Sequence, residues 1–320
     1  MKRLLQSIGW ELAGMGLLVA FVVLLATMPP LEIRQAPAAP LGYTVQVDTA
    51  TWQTTLQRYC KMVLSGTLGK GHDGNPVGPI VSERLGNSLL LVGISLVIAV
   101  FLGAVKGVWD FMQLRRGRVA IGPILTGLVQ GLPDFWLVLL VQIGTVLIYN
   151  RFGWKPFPPA WVDSKPVASM VFPVFCLSLI PWAYVARITS TALVTVYDQE
   201  YVRTARAKGL HERIVMYKHA LGSALVPILD NLPNALAVMF SNLLVVETML
   251  HYPGVTILLK DAVAPLGARY ADPRLPPPHT DVTTLVAAGV SLGLIFAVLF
   301  LTISILRRVF DPRLKERDIK

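Results

Sequence analysis

Long runs without a charged side chain limit what this chain can fold into: Leu12 to Leu31, Leu85 to Val105, Pro166 to Ala186 and Val282 to Leu306. About 20 apolar residues in a helix cross a hydrocarbon layer about 30 Å thick, and inside that layer backbone polar groups must pair within the segment. Each run is therefore long enough to cross once as a helix. Two further runs each carry a single acid, Asp134 in Val119 to Asn150 and Asp230 in the stretch from Ser223 to Val246. With 54% hydrophobic and 15% charged residues, the chain lacks the charge to cover a soluble protein. The expectation is an all-α integral membrane protein with six transmembrane helices.

Short cytoplasmic loops retain Lys and Arg, so the basic residues set the orientation. With both termini in the cytoplasm, 18 of the 29 Lys and Arg residues fall on that side, in segments holding fewer residues than the outer ones. The net charge of +10 lies just inside the spans, where insertion alone places it, so no nucleic-acid partner is expected. Lipid is. The first apolar run is long enough to cross and lacks a small-residue cleavage site after its core, so it reads as an anchor. Cys60 and Cys176 lie in different segments, and no disulfide or Cys metal motif is implied.

The organisation that follows is an N-terminal transmembrane helix over residues 1–28, an extracytoplasmic segment over 29–84, a core of five spans over 85–313 and a cytoplasmic tail over 314–320. The outer segment has room for a short helix around Thr51 to Val63 but not for a core of its own. The Asn150 to Lys165 loop carries Trp154 and Trp161, which suit the headgroup level. A last outer loop, His251 to Asp281, ends in the non-helical stretch "RLPPPHT". No internal repeat supports an inverted-repeat carrier. The glycines of "GLVQG", Gly127 and Gly131, have the spacing of a close helix contact.

The passage "YVRTARAKGLHERIVMYKHAL", Tyr201 to Leu221, places five basic residues between two apolar runs. Asp198 has the chemistry of an N-cap, Glu200 suits the positive end of the helix dipole, and Gly209 reads as a stop. A helix of about ten residues, about 15 Å long, is expected, with a second from His211 leading into span five. Val202, Ala205 and Gly209 form a stripe of small residues of the kind a helix needs to lie close against another protein. The bland alternative is a solvated basic loop.

Span five is more polar than an anchor requires. At about 100° per residue, Asn234, Ser241 and Thr248 return to within about 40° of Asp230, with Asn231 and Asn242 near about 110° and Leu232, Leu236, Met239 and Leu243 opposite. One reading is a polar translocation path through Asp230, Asn231, Asn234, Ser241 and Asn242. The other is interhelical hydrogen bonding. Glu247 falls off the stripe and reads as a structural or outer-gate residue, while Asp134 follows Pro133, where local backbone pairing competes with substrate contact. No catalytic residues or metal ligands are expected. His211 and His219 are about 12 Å apart along a helix, too far to share a metal, and "GTLGKG" lacks the spacing and Ser/Thr of a phosphate loop.

"EYVRTARAKGL" with the following "HAL" and "ALVPIL" resembles the EAA loop of ABC importer permeases of the oligopeptide/dipeptide/nickel branch. "SGTLGKGHDGNPVGPIVSERLGNSLLL", "GLPDFW", "VVETMLHYPGV" and "FDPRL" resemble further segments of that branch, so the likeness runs over about Trp52 to Arg313. The chain departs from the pattern at His219 to Gly222, which lacks a proline, and at Thr256, where the branch has glycine. The resemblance implies a type I ABC importer permease fold in a bacterial or archaeal plasma membrane. It implies a coupling loop over about 198–222, with Tyr201, Arg203, Ala205, Lys208, Gly209 and Leu210 engaging an ATPase, and with Pro253 and Gly254 beside Glu247 at the outer gate. Its implied partners are two ABC ATPase subunits that hold the ATP and Mg, a second homologous permease forming a heteromer, and an extracytoplasmic substrate-binding protein. This chain would bind no cofactor and carry no ATPase site, and peptides lead the substrate classes. The competing readings are an ion-coupled secondary transporter and a non-transporting membrane scaffold.

Overall fold

The computed structural model describes residues 13–14, 16–17, 20–21, 23–24, 32–35, 43–46, 49–66, 68–70, 74–117, 121–154, 157–164, 166–263 and 282–310. Two short strands, β1 (Glu32–Gln35) and β2 (Tyr43–Gln46), precede nine labelled helices: α1 (Thr49–Leu64), α2 (Val77–Arg115), α3 (Ile121–Gly131), α4 (Asp134–Phe152), α5 (Pro166–Tyr197), α6 (Glu200–Ala207), α7 (Leu221–Met249), α8 (Val255–Val263) and α9 (Val282–Phe310). A single turn, Glu212–Ile214, and a π-helical stretch, Val215–Ala220, run into α7 without a break. The membrane part is all-α.

Among the described residues five helices are long and apolar enough to cross a membrane: α2, α4, α5, the continuous Val215–Met249 and α9. The first expected span, Leu12 to Leu31, lies for the most part outside the described residues, although 13–14, 16–17, 20–21 and 23–24 are helical. The run from Val119 to Asn150 is not one helix but two. Pro133 has extended geometry (φ −60°, ψ 142°) and separates the 11-residue α3 from α4. At 1.5 Å per residue α3 is about 16 Å long, too short to span. A proline has no N–H and clashes with the preceding turn, which gives the break its cause. Asp134 then opens α4 at the positive end of its dipole.

The chain forms two compact units. One holds Ser88–Pro253 and Phe296–Lys320, and the other Lys2–Asn87 and Gly254–Ile295. In the second, β1 and β2 pair antiparallel with Glu32 opposite Gln46 and Gln35 opposite Tyr43, a hairpin beyond the single helix expected of the outer segment. That helix, α1, packs Leu56, Tyr59 and Met62 with Val23, Val286 and Val290, and the Tyr59 hydroxyl lies 3.1 Å from that of Thr283.

The first unit is organised by α5 against α7, with α2 laid closely on α5. A Cβ added at Gly103 would stand 2.8 Å from the Trp182 carbonyl oxygen, and one at Gly107 only 2.5 Å from that of Ala186. These two glycines, four residues apart, let the backbones approach. At Gly127 and Gly131, where a close contact is expected, nothing among the described residues stands within 4 Å of a Cβ. Spacing of glycines identifies a candidate contact but not which candidate a neighbour covers. On α7, Leu232, Leu236, Met239 and Leu243 are buried, on the side opposite Asp230.

Candidate coupling and translocation sites

The helix α6 begins at an extended Gln199 rather than at Asp198, and no side chain caps it. The Gln199 carbonyl accepts from the Val202 and Arg203 N–H groups at 3.0 and 3.2 Å, and the Thr204 hydroxyl donates to the Glu200 carbonyl at 2.9 Å. It ends at Gly209 with φ +74°, where the glycine N–H reaches the Arg206 carbonyl at 2.8 Å. Glycine adopts that backbone conformation without the Cβ penalty of other residues. The helix thus has eight residues, and its expected stop holds.

Its packing corrects the expected stripe. Val202 and Ala205 do not face outward; they are buried among Leu193, Tyr197, Val215, Met216 and Ala220 of the same chain. They hold α6 down on the ends of α5 and α7. Tyr201, Arg203, Lys208, Gly209 and Leu210 are exposed, so five of the six residues assigned to the loop's docking face stand at the surface and Ala205 lies beneath it. Arg203 pairs with Glu200 at 3.2 Å, fully at the surface.

Charged and aromatic side chains fix α6 from its flank. The guanidinium carbons of Arg115 and Arg206 lie 4.2 and 3.9 Å from the centre of the Tyr197 ring. Arg115 also donates to the Tyr197 hydroxyl, and at 2.7 Å to Glu212 Oε1. Glu212 Oε2 stands 3.9 Å from Arg206 Nε. Burial first, then the nearby Arg115, holds the Arg206 guanidinium below its ordinary value. A cavity of about 760 Å³ opens beside this group, lined by Met112, Arg115, Arg116, His211, Glu212, Met216 and Tyr217. Sequence reading missed Arg115, Tyr197 and Glu212 because they come from three separated segments.

The polar residues of α7 divide three ways. Asp230, Asn234 and Ser241 are exposed and, with Ala237 and Leu244, mark one continuous stripe at alternating three- and four-residue steps. Asn231 is half-buried, donates to the Pro227 carbonyl at 2.8 Å, and lines a cavity of about 300 Å³ between α5 and α7. Asn242 does not join that stripe. It is buried, with its amide turned as donor to the Asp134 carboxylate, so α7 is joined to the first turn of α4. Asp134 therefore pairs across helices rather than with its local backbone, and Asp230 is paired with Arg307 of α9.

At the far end of α7, Glu247 is fully buried and accepts a hydrogen bond from Ser88 at 2.5 Å. Tyr252 N–H bonds the Glu247 carbonyl at 2.9 Å, the Trp161 N–H bonds the Leu250 carbonyl at 2.8 Å, and the Trp161 and Tyr252 rings meet edge to face at 5.1 Å. Burial, and next the Glu247 carboxylate, pushes the Tyr252 phenol up to about 12. Pro253 is half-buried and Gly254 buried. No group of three or more metal-ligating side chains occurs among the described residues.

A bundle of long apolar helices, a short basic helix held at one end and a polar stripe along one span define a membrane transport component. The chain belongs to the family of binding-protein-dependent transport system inner membrane components, whose pattern matches residues 89–316. It is a permease subunit of an ABC importer and a multi-pass protein of the plasma membrane. Among similar proteins, the dipeptide transport system permease protein DppB of Lactococcus lactis is 26% identical over 95% of this chain and 98% of that relative. The oligopeptide transport system permease protein AppB of Bacillus subtilis is 28% identical over 76% of this chain and 73% of its own length.

Proposed function

We propose that this chain conducts peptides inward by alternating access, driven by ATP that separate ATPase subunits bind and hydrolyse with Mg. Both termini then lie in the cytoplasm, with α6 on the cytoplasmic face. The observation that carries the reading is the two-sidedness of α6: Val202 and Ala205 are anchored in the chain's own core while Tyr201, Arg203, Lys208, Gly209 and Leu210 stand outward. A solvated basic loop needs no such anchoring. A helix that passes force from a partner to the spans does.

Two ATPase subunits would grip this chain and a second, related permease, and a binding protein would deliver substrate on the other side. Asp230, Asn234 and Ser241 would line the path, with Asn231 at its edge. No cofactor is bound by this chain in that scheme. Peptides are supported by the two relatives, both peptide permeases by name.

A photo-crosslinking residue placed at Lys208 and, as control, at the exposed Trp154 tests the docking face. Crosslinks to an ATPase subunit are expected from position 208 and not from 154. A cysteine at 208 that reacts with an impermeant thiol reagent added outside intact cells would overturn the orientation.

A further inference from the structure

The group around Tyr197 ties together segments that do not follow one another: Arg115 ends α2, Tyr197 ends α5, Arg206 lies on α6 and Glu212 sits in the turn beyond it. Two guanidinium groups converge on one phenol ring and one carboxylate. Like charges so close repel, and the arrangement stands because the ring face attracts cations and Glu212 lies between them. Glu212 is engaged unequally, at 2.7 Å from Arg115 and 3.9 Å from Arg206. Arg206 Nε and Nη2 are buried without a hydrogen-bond partner among the described residues. Buried donors left unmade are costly, so a small displacement of α6 that brings Glu212 onto Arg206 has a compensating contact waiting.

We propose that Arg115, Tyr197, Arg206 and Glu212 are positioning residues for coupling: through them α6 moves as one body with the ends of α2 and α5, and Glu212 is shared between the two arginines as it does so. This rests on the reading of α6 as the helix the ATPase grips. Apolar packing of Val202 and Ala205 alone would let α6 slide or tilt, since it is non-directional. A planar guanidinium stacked on a ring face and drawn to a carboxylate is fixed in orientation as well as distance. Motion imposed on Tyr201 to Leu210 would then reach α2 directly, without passing first through α7.

The test uses the assembled complex in lipid nanodiscs, with its second permease, ATPase subunits and binding protein, and a tryptic casein digest as the peptide probe. Glu212→Gln is half exposed and removes only the charge. The ratio of probe-stimulated to basal ATPase activity is expected to fall at least about fivefold, the lower end of ordinary coupling energies, with assembly and basal rate within about twofold of the unaltered complex. Glu212→Asp, which keeps the charge, should retain most of the ratio. Glu200→Gln, which breaks the exposed pair on the same helix, should leave it unchanged. Arg115→Lys keeps charge but loses the stacked fork, and should lower the ratio in the same direction.

A Glu212→Gln complex whose ratio matches the unaltered one overturns the proposal, as does an equal fall in Glu200→Gln. An unaltered complex in which the probe stimulates no ATPase sinks the peptide-importer reading itself and takes the clasp with it.

Discussion

Substitution at Gly209 separates backbone strain from a clash with a partner. The residue sits at φ +74° with nothing among the described residues within 4 Å of a Cβ. Any L residue with a Cβ faces about 1–2 kcal/mol of strain there, asparagine less because its side chain tolerates that region. The strain depends on the Cβ, so alanine and leucine share it to a first approximation. Within the isolated subunit the two variants should melt together, because the extra leucine atoms meet open space. In the assembled complex they should part if α6 is gripped: filling a closely packed interface costs about 1–3 kcal/mol, and at about 1.4 kcal/mol per tenfold that is a loss of roughly 5- to 150-fold. The assay is ATPase stimulation by loaded binding protein in reconstituted complexes, with Gly209→Asn, Gly209→Ala and Gly209→Leu side by side. Asparagine should stay nearest the unaltered protein, alanine should show the strain alone, and leucine should fall well below alanine. Equal activity for alanine and leucine would refute the claim that a partner surface lies against this position.

Other consequences can be checked on the subunit in detergent. Gly107→Val sets a branched side chain 2.5 Å from the Ala186 carbonyl oxygen, so thermal melting should show a loss of about 1–3 kcal/mol or failure to accumulate, whereas Gly127→Ala should change little. Asn242→Leu removes the donor from the half-buried Asp134 carboxylate and should cost about 0.5–1.5 kcal/mol in the same melts, with the loss reduced when Asp134 is made Asn alongside it. Asp230→Asn breaks a half-exposed pair with Arg307, worth at most about 1 kcal/mol, so melting should barely move while uptake in proteoliposomes falls.

The spans were legible because a missing charge is a local property that a membrane reads one residue at a time. The stop at Gly209 was legible for the same reason, since a single residue's backbone freedom ends the helix. Less legible were the features that depend on which neighbour covers a face. Periodicity placed Val202 and Ala205 on one face correctly, but a face of small side chains suits the chain's own core as well as a partner, and here the core took it. Asn242 has the spacing of a path residue, yet its partner arrives from α4, more than 100 positions earlier. The hairpin pairs β1 with β2 across the "APAAPLG" connection, and neither four-residue strand announces its partner by its own sequence.

The proposed path lies on α7 and the proposed coupling helix is α6, and the π-helical segment lies between them in the chain. A short link bent at Gly209 leads out of α6, and from Glu212 through Val215–Ala220 into α7 the backbone never leaves a helical state, so rotation that reaches Glu212 meets no further loop before Asp230. A π-helical stretch is wider and less well hydrogen-bonded than the α-helix around it, and such stretches concentrate where helices do work. Its burial supports a hinge that is packed rather than loose: Val215, Met216 and Ala220 are all buried in the cluster that also holds Val202 and Ala205. The same side chains that seat α6 therefore seat the junction below it, and a displacement of one is felt by the other through contact. Removing one residue from the junction would tighten its π-helical turn and change the rotation and rise between α6 and the Asp230, Asn234 and Ser241 stripe by up to about 100° and about 1.5 Å. Uptake should be lost with assembly intact, and retained uptake would mean that the stripe and the coupling helix are not mechanically joined.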